Sequence, residues 1–271
     1  MMIAEELARR VRCHAARMVH AANASHIGGC FSMAELLAVL YGQVLKYRPH
    51  EPSWPDRDRF ILSKGHSTAI LYAILAECGY FSVQELLQYG QDGSRLLTHV
   101  SHKVPGVEFS TGSLGHGLPF GCGKALAAKR SDKRWRTFVV LSDGELDEGS
   151  NWEAILFAGH HRLGQLTAIV DYNGIQSLGN VSDVLELHPL ADKFRSFLWD
   201  VIEIDGHDVS EITEALLPHR KADGPPLAVL ARTVKGKGVD FMENQLKYHY
   251  SPPRTEEQLQ EVLRQLEGAR S

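Results

Sequence analysis

The 271-residue sequence has no apolar run of about 20 residues, the length that a membrane-spanning helix needs. Its four cysteines, Cys13, Cys30, Cys78 and Cys122, are too few for a disulfide framework, and no two form a Cys-x-x-Cys pair. The formal net charge is only -4, which argues against a general nucleic-acid binder. We therefore expect a cytoplasmic protein with reduced thiols that binds neither nucleic acid nor a membrane.

Apolar strand segments alternate with helical segments along the chain. Strands are predicted at 59–63, 137–141, 166–171, 199–204 and 226–231, helices at 3–22, 32–45, 66–77, 119–129, 151–163, 190–197, 209–217 and 255–268, and loops at 23–31 and 93–117. This alternation predicts an α/β fold, a mostly parallel sheet with helices on both faces. Ser32 with Glu35, and Ser82 with Glu85, have the spacing of helix capping boxes.

Two neighbouring strands end in polar residues that suit a metal ion. Asp143 follows the strand at 137–141, and Asn173 follows the strand at 166–171, 30 residues further along. A strand–helix–strand unit of that length places both strand ends side by side, at the edge where such sheets bind ligands. Carboxylate and amide oxygens suit Mg²⁺, and Gly144 lets a phosphate approach the backbone. On spacing alone, a helix cap at Asp143 and a turn at Asn173 explain these residues equally well.

The longer segments around these residues resemble the transketolase family. Residues 142–179, SDGELDEGSNWEAILFAGHHRLGQLTAIVDYNGIQSLG, are similar to the thiamine diphosphate motif of that family. Other similar segments are ASHIGG at 24–29, RDRF at 57–60, SKGH at 63–66, PGVE at 105–108, TGSLG at 111–115 and TVKGKG at 233–238. Several motifs in the family's order, spread over nearly the whole chain, identify it as a member with the thiamine diphosphate-binding fold.

The resemblance implies two cofactors, thiamine diphosphate and Mg²⁺. The implied metal ligands are Asp143, Asn173 and the carbonyl of Ile175. The implied cofactor contacts are His66, Gly112, Ser113, Leu114, Gly144, Glu145, Asn173 and His249. The implied catalytic residues are His26, His66, His99 and His249, which suit sugar hydroxyls that lose and regain protons near neutral pH. Glu148 and Glu153 are implied at a dimer interface.

Three residues depart from the family pattern. Ser25, Ser142 and Tyr250 stand where the family usually has glycine. We expect Tyr250 to narrow the pocket on the substrate side.

The resemblance covers only the diphosphate-binding half of a transketolase. It implies that residues 1–271 form a single domain, and that the aminopyrimidine-side domain lies on a separate chain. The implied protein is the N-terminal subunit of a split transketolase, in an (αβ)₂ assembly with a C-terminal subunit of roughly 300 residues. It would transfer a two-carbon ketol unit to an aldose from a ketose that is phosphorylated or otherwise anionic.

Two other functions remain open at this point. The decarboxylase subunit of a 2-oxo acid dehydrogenase would share the metal site at Asp143 and Asn173, although His26, His66 and the TVKGKG segment argue against it. A noncatalytic protein that binds thiamine diphosphate or acts as a scaffold is the third possibility.

Overall fold

A parallel sheet forms the centre of the chain, which a computed structural model describes over residues 3–268. The strands are β1 (Arg59–Leu62), β2 (Thr137–Ser142), β3 (Leu166–Tyr172), β4 (Ile175–Gln176), β5 (Gly179–Asn180), β6 (Asp200–Asp205) and β7 (Leu227–Arg232). Five of them make the parallel sheet, in the order β1-β2-β3-β7-β6, and β4 with β5 forms a short antiparallel hairpin. Residues 1–2 and 269–271, which the single-domain prediction included, lie outside the described residues.

Helices cover both faces of the sheet. They are α1 (Ala4–Ala21), α2 (Ile27–Phe31), α3 (Ala34–Val39), α4 (Thr68–Glu77), α5 (Gly117–Arg130), α6 (Gly149–His160), α7 (Val181–Val184), α8 (Leu190–Ser196), α9 (Val209–Leu216) and α10 (Glu256–Gly268). A π-helical turn, Leu40–Val44, continues α3. Four 3-10 turns are Gly65–Ser67, Val83–Gln88, Gly144–Asp147 and Leu246–His249. Within residues 3–268, no helix combines the length and the apolar character needed to cross a membrane.

Alternate side chains of the strands build two separate cores, because successive residues of a strand point to opposite faces. Phe138 and Val140 of β2 pack into the larger core, with residues of α1, α3, α4 and α10. Val139 and Leu141 pack into the smaller core, with residues of α5, α6 and α8. The predicted fold class, a mostly parallel sheet with helices on both faces, is confirmed.

The first predicted capping box is wrong. Helix α3 begins at Ala34, and its N-cap residue Met33 makes no side-chain cap. The Ser32 hydroxyl instead donates 2.6 Å to Asp171 Oδ2, and Glu35 binds Arg12. A fully buried hydroxyl beside a buried carboxylate stabilises that charge rather than a helix end.

The second predicted capping box is half right. Ser82 caps a 3-10 turn through the Gln84 amide, whereas Glu85 pairs with Arg95. The loop predicted at 23–31 is also wrong in part, since it contains α2.

Close packing of α6 against the segment before β6 leaves no space at Gly159. A Cβ atom added there would lie 1.8 Å from the carbonyl oxygen of Phe197, so a neighbouring backbone segment must move. We expect Gly159→Ala to lower the free energy of unfolding by about 3 kcal/mol or more, measured by urea denaturation.

Gly123 in α5 is the matched control for this substitution. It is exposed, and a Cβ added there meets no atom within 4 Å. Gly123→Ala should leave stability unchanged or raise it by up to about 1 kcal/mol, because alanine favours the helix. Equal effects of the two substitutions would contradict the packing argument.

Candidate functional site

A cavity of about 260 Å³ opens at the carboxyl ends of β1, β2, β3 and β7. Ten of the predicted site residues line it: His26, His66, His99, Gly112, Leu114, Asp143, Gly144, Asn173, Ile175 and His249. The cavity therefore lies where the strand pattern placed it, and it brings the predicted catalytic and metal-binding residues together. Their individual roles stay predictions.

Asp143 and Asn173 face each other across two adjacent strand ends. Asp143 Oδ1 accepts a hydrogen bond from Gly144 N at 2.8 Å, and Oδ2 accepts one from Gly174 N at 2.6 Å. Asn173 Oδ1 accepts a hydrogen bond from Ile175 N at 3.2 Å. Asp143 therefore caps the 3-10 turn that begins at Gly144, and it also binds the turn that contains Gly174. The cap and the turn that the spacing suggested are both present, at residues that are also the predicted metal ligands.

Lys235 occupies the space between the Ile175 carbonyl and His249. Its Nζ donates to Ile175 O at 2.8 Å and lies 3.0 Å from His249 Nδ1, and the side chain is buried. Burial, together with the charge of Lys64, lowers the pKa of Lys235 to about 8. The Ile175 carbonyl, which the resemblance implies as a metal ligand, therefore accepts a hydrogen bond from the ammonium group of Lys235 in this structure.

The donor set at this edge fits a small, hard cation. Burial and the nearby Asp171 raise the pKa of Asp143 to about 6, and a bound cation would favour its charged form again. One carboxylate, one amide oxygen and one carbonyl are oxygen ligands of the kind that Mg²⁺ accepts, with phosphate and water completing its shell. Residues 3–268 hold no cluster of three or more His, Cys, Asp or Glu residues that could bind a metal, so the site depends on this mixed set.

The four predicted catalytic histidines form one cluster in the cavity wall. The ring centre of His26 lies 4.9 Å from that of His66, 5.1 Å from that of His249 and 6.2 Å from that of His99. The ring centre of Tyr250 lies 4.6 Å from that of His249 and 5.9 Å from that of His26, and Tyr250 lines the cavity. Its narrowing of the pocket stays a prediction.

Burial keeps three of these histidines neutral. It lowers the pKa of His26 to about 4, with His99 adding to the effect, and it lowers the pKa of His249 to about 3, with Lys235 adding. The pKa of His66 also falls well below its usual value, through burial and the nearby Lys64. Within residues 3–268, the buried Nδ1 of His26 has no hydrogen-bond partner.

A buried ion pair lies directly beneath the cavity. Lys64 and Asp171 are 1% and 0% exposed, and Lys64 Nζ donates to Asp171 Oδ2 and, at 3.0 Å, to Gly29 O. Asp171 also accepts hydrogen bonds from the hydroxyls of Ser32 and Thr233. Burial alone would raise the pKa of Asp171, but Lys64 and the hydroxyls hold it below its usual value.

Four predicted site residues do not line the cavity. Ser113 is exposed, and the Glu145 carboxylate is buried, where it accepts bonds from Ser63 Oγ at 2.5 Å and Gly115 N at 2.9 Å. Glu145 therefore anchors the loop that carries Gly112 and Leu114. Glu148 and Glu153 lie at and near the start of α6, and both are exposed. Their carboxylates are therefore accessible to a partner, and their interface role stays a prediction.

Several residues of the cavity wall were not predicted from the sequence as site residues. Gly29, Lys64, Gln176, Ser177 and Lys235 all line it without having been predicted as site residues. The two lysines belong to the SKGH and TVKGKG segments. Each is a charged residue close to the end of a strand, and this position was the signal from which they could have been predicted as site residues.

Comparison with known proteins points to one family. The model of the family described as "Transketolase, thiamine diphosphate binding domain" matches residues 3–268. The 6-deoxy-6-sulfo-D-fructose transketolase subunit SqwG of a Clostridium species is 42% identical, over 89% of this chain and 88% of its own length. One subunit of the apulose-4-phosphate transketolase of Phocaeicola vulgatus is 37% identical, over 92% of this chain and 88% of its own length.

A solved transketolase structure also matches this chain, but this chain covers a smaller share of it. The transketolase of Campylobacter jejuni superposes with a TM-score of 0.92 at 33% identity. The match covers 98% of this chain and 43% of that one. The chain therefore spans most of the length of two relatives named as subunits, and less than half of this transketolase chain.

The Lys64–Asp171 pair generates a stability prediction. Lys64→Met leaves a buried carboxylate without its counter-charge, so the free energy of unfolding should fall by about 3–5 kcal/mol in urea denaturation. Lys133→Met is the control, because Lys133 forms an exposed pair with Asp56 at 3.5 Å. That change should cost less than about 1 kcal/mol, and a similarly small loss for Lys64→Met would refute the importance of the buried pair.

The lowered pKa of His26 generates a pH prediction. Its pKa is about 4 in the folded chain against an ordinary value of 6.5, so between these values the unfolded chain binds the extra proton and stability falls as pH falls. From pH 7 to about pH 4.5, wild type should lose about 1–2 kcal/mol more than His26→Asn. Asparagine suits the left-handed backbone at this position, where φ is 74°.

Urea denaturation of both proteins at several pH values measures this difference. The raised pKa of Asp143 acts in the opposite direction, but it is common to both proteins and cancels in the comparison. His219→Asn, at an exposed position outside the cavity, is the control. Parallel pH curves for wild type and His26→Asn would show that burial of His26 does not set its protonation.

Proposed function

Because this chain belongs to the transketolase family, through the thiamine diphosphate-binding domain of that family, we propose that it is the N-terminal subunit of a two-chain transketolase. The observation that carries the proposal is the composition of the cavity. Oxygen atoms that suit a cation, a buried lysine and a cluster of histidines line one space, in a chain that spans 43% of the Campylobacter transketolase. Residues 1–271 form one domain in this proposal, and a partner chain of roughly 300 residues supplies the other side of the site.

The proposed cofactors are thiamine diphosphate and Mg²⁺. Asp143, Asn173 and the Ile175 carbonyl would hold the metal, and the ammonium of Lys235 and the backbone at Gly144 would face the diphosphate. Bound thiamine diphosphate supplies the carbon nucleophile that cleavage of a carbon–carbon bond beside a ketone requires. Glu145 does not touch the cofactor in this proposal, but anchors the loop bearing Gly112 and Leu114.

The histidine cluster would bind the hydroxyls of the sugar. His26 and His249 line the cavity, and low pKa values keep both neutral at pH 7, so each can accept a hydrogen bond or a proton. His66 belongs to the same cluster, with its ring centre 4.9 Å from that of His26, and burial and the charge of Lys64 lower its pKa well below the usual value. Partial burial of these rings lowers the local dielectric constant, which strengthens their polar interactions with a ligand.

The proposed substrates are a ketose donor with an anionic group and an aldose acceptor. The names of two relatives support an anionic donor, because one acts on a sulfonated fructose and the other on the phosphate of apulose. Relatives named transketolase subunits also favour ketol transfer over the 2-oxo acid dehydrogenase alternative. An intact set of polar cavity residues argues against a noncatalytic scaffold.

The proposed assembly is an (αβ)₂ heterotetramer in the cytoplasm. The exposed carboxylates Glu148 and Glu153 lie on the proposed contact surface, and Leu156 and Phe157 of the same helix are exposed beside them. Exposed apolar side chains grouped on one helix are typical of a protein contact.

Native mass spectrometry of the chain isolated from its own host tests the proposal. We expect a second chain of roughly 300 residues, with two thiamine diphosphate molecules and two Mg²⁺ ions per (αβ)₂ assembly. Ketol transfer should require both chains, because the cofactor is held between them. A homodimer without cofactor, or ketol transfer by this chain alone, would contradict the proposed function.

A further inference from the structure

A chain of partly buried polar contacts links α1 and α3 to the segment that carries Lys235. Arg12 of α1 donates to both carboxylate oxygens of Glu35 in α3, at 2.5 and 2.6 Å. Glu35 Oε2 also lies 3.0 Å from His207 Nδ1. Although burial opposes the charge, Arg12 and His207 hold the pKa of Glu35 at about 2, so this group is a carboxylate that only accepts hydrogen bonds.

These contacts select one tautomer of His207. Since Glu35 accepts, Nδ1 of His207 carries a proton and donates it. The Val234 amide donates to the other ring nitrogen, Nε2, at 2.9 Å, so Nε2 must be the unprotonated acceptor. Both nitrogens of a neutral imidazole are then used, each in one direction.

The hydrogen bond to His207 holds Val234, and the residues on either side of it, Thr233 and Lys235, both contact residues of the site. Thr233 Oγ1 donates to Asp171, in the buried ion pair beneath the cavity. Lys235 Nζ donates to Ile175 O at 2.8 Å and lies 3.0 Å from His249 Nδ1. His207 itself does not line the cavity.

We propose that His207 is a positioning residue for the cavity, which fixes the Val234 amide and thereby the place of the Lys235 ammonium. The proposal rests on the proposed function in taking a diphosphate as the occupant. A lysine side chain is long and flexible, so the position of its charge depends on how firmly its backbone is held. Displacement of a ligand-binding group by about 1 Å is enough to weaken its contact.

Other contacts keep the segment folded when this bond is lost. Gly236 N donates to Gly28 O at 3.0 Å, and Asn244 N donates to Lys235 O at 2.9 Å. Removal of the imidazole should therefore shift the segment rather than unfold it.

Two conservative variants separate the contacts of His207. Asparagine places its polar atoms near the position of Nδ1, so His207→Asn keeps the contact with Glu35 but not the acceptor for Val234. Glutamine reaches the position of Nε2, so His207→Gln keeps the acceptor for Val234. His207→Ala removes both contacts, and His219→Ala changes an exposed histidine that lies outside the cavity.

Two measurements on the full chain, with its partner subunit where the two form a complex, test the proposal. Hydrogen exchange of ¹⁵N-valine-labelled protein should show exchange at the Val234 amide faster by about tenfold in the Ala and Asn variants, and close to wild type in the Gln variant. Affinity for inorganic pyrophosphate with Mg²⁺, measured by calorimetry, should fall by about threefold to tenfold in the Ala and Asn variants, the range of one hydrogen bond. The Gln variant should bind like wild type, and melting temperatures report whether each variant is folded.

A double-mutant cycle tests whether His207 acts through Lys235. In a Lys235→Met background, His207→Ala should lower the pyrophosphate affinity no further, because the group that it positions is absent. Additive losses, equal affinities of the Asn and Gln variants, or unchanged exchange at Val234 would each overturn the role of His207.

A different outcome of the same measurements would contradict the proposed function. If wild type does not bind pyrophosphate, the diphosphate is not the occupant of the cavity, and both proposals fall. If wild type binds it and the His207 variants do so equally well, only the inference about His207 is wrong.

Discussion

The buried pair of Lys64 and Asp171 is the contact on which the rest of the site depends. It joins the segment after β1 to the end of β3, and the hydroxyls of Ser32 and Thr233 add the segment before α3 and the end of β7. A charge removed from water is tolerated only with a counter-charge and further hydrogen bonds, and all of these are present here. Four segments around the cavity therefore meet at one shared centre, whereas Glu145 anchors the loop that carries Gly112 and Leu114.

Burial also sets the protonation of the ionisable groups that line the cavity. The same low-dielectric surroundings lower the pKa of His26, His249 and Lys235 and raise that of Asp143. Every one of these shifts disfavours the charged form of its group. A ligand that brings negative phosphates together with a divalent cation would reverse this balance for both Lys235 and Asp143, which is the electrostatic argument behind the proposed magnesium diphosphate.

Local patterns predicted the sheet well and individual polar contacts poorly. Apolar runs and the 30-residue spacing of Asp143 and Asn173 were enough to place both residues at adjacent strand ends. Ser32 was wrongly predicted as a helix cap, because the sequence spacing of a capping box does not reveal that a buried carboxylate lies within reach. Glu145 was predicted at the cofactor, but its side chain turns beneath the loop, towards Ser63 and Gly115.

The sequence by itself determined the fold class, the strand ends that carry the site and, through the family resemblance, the histidines and the predicted metal ligands that line it. Only the tertiary structure decided which charges meet. Lys64 and Asp171 are 107 residues apart, and Lys235 and Ile175 are 60 apart. Such contacts form because distant segments are packed together by the two cores, and no local propensity or spacing records them. The electrostatics of the cavity follow from that packing, and so they appear only in the folded chain.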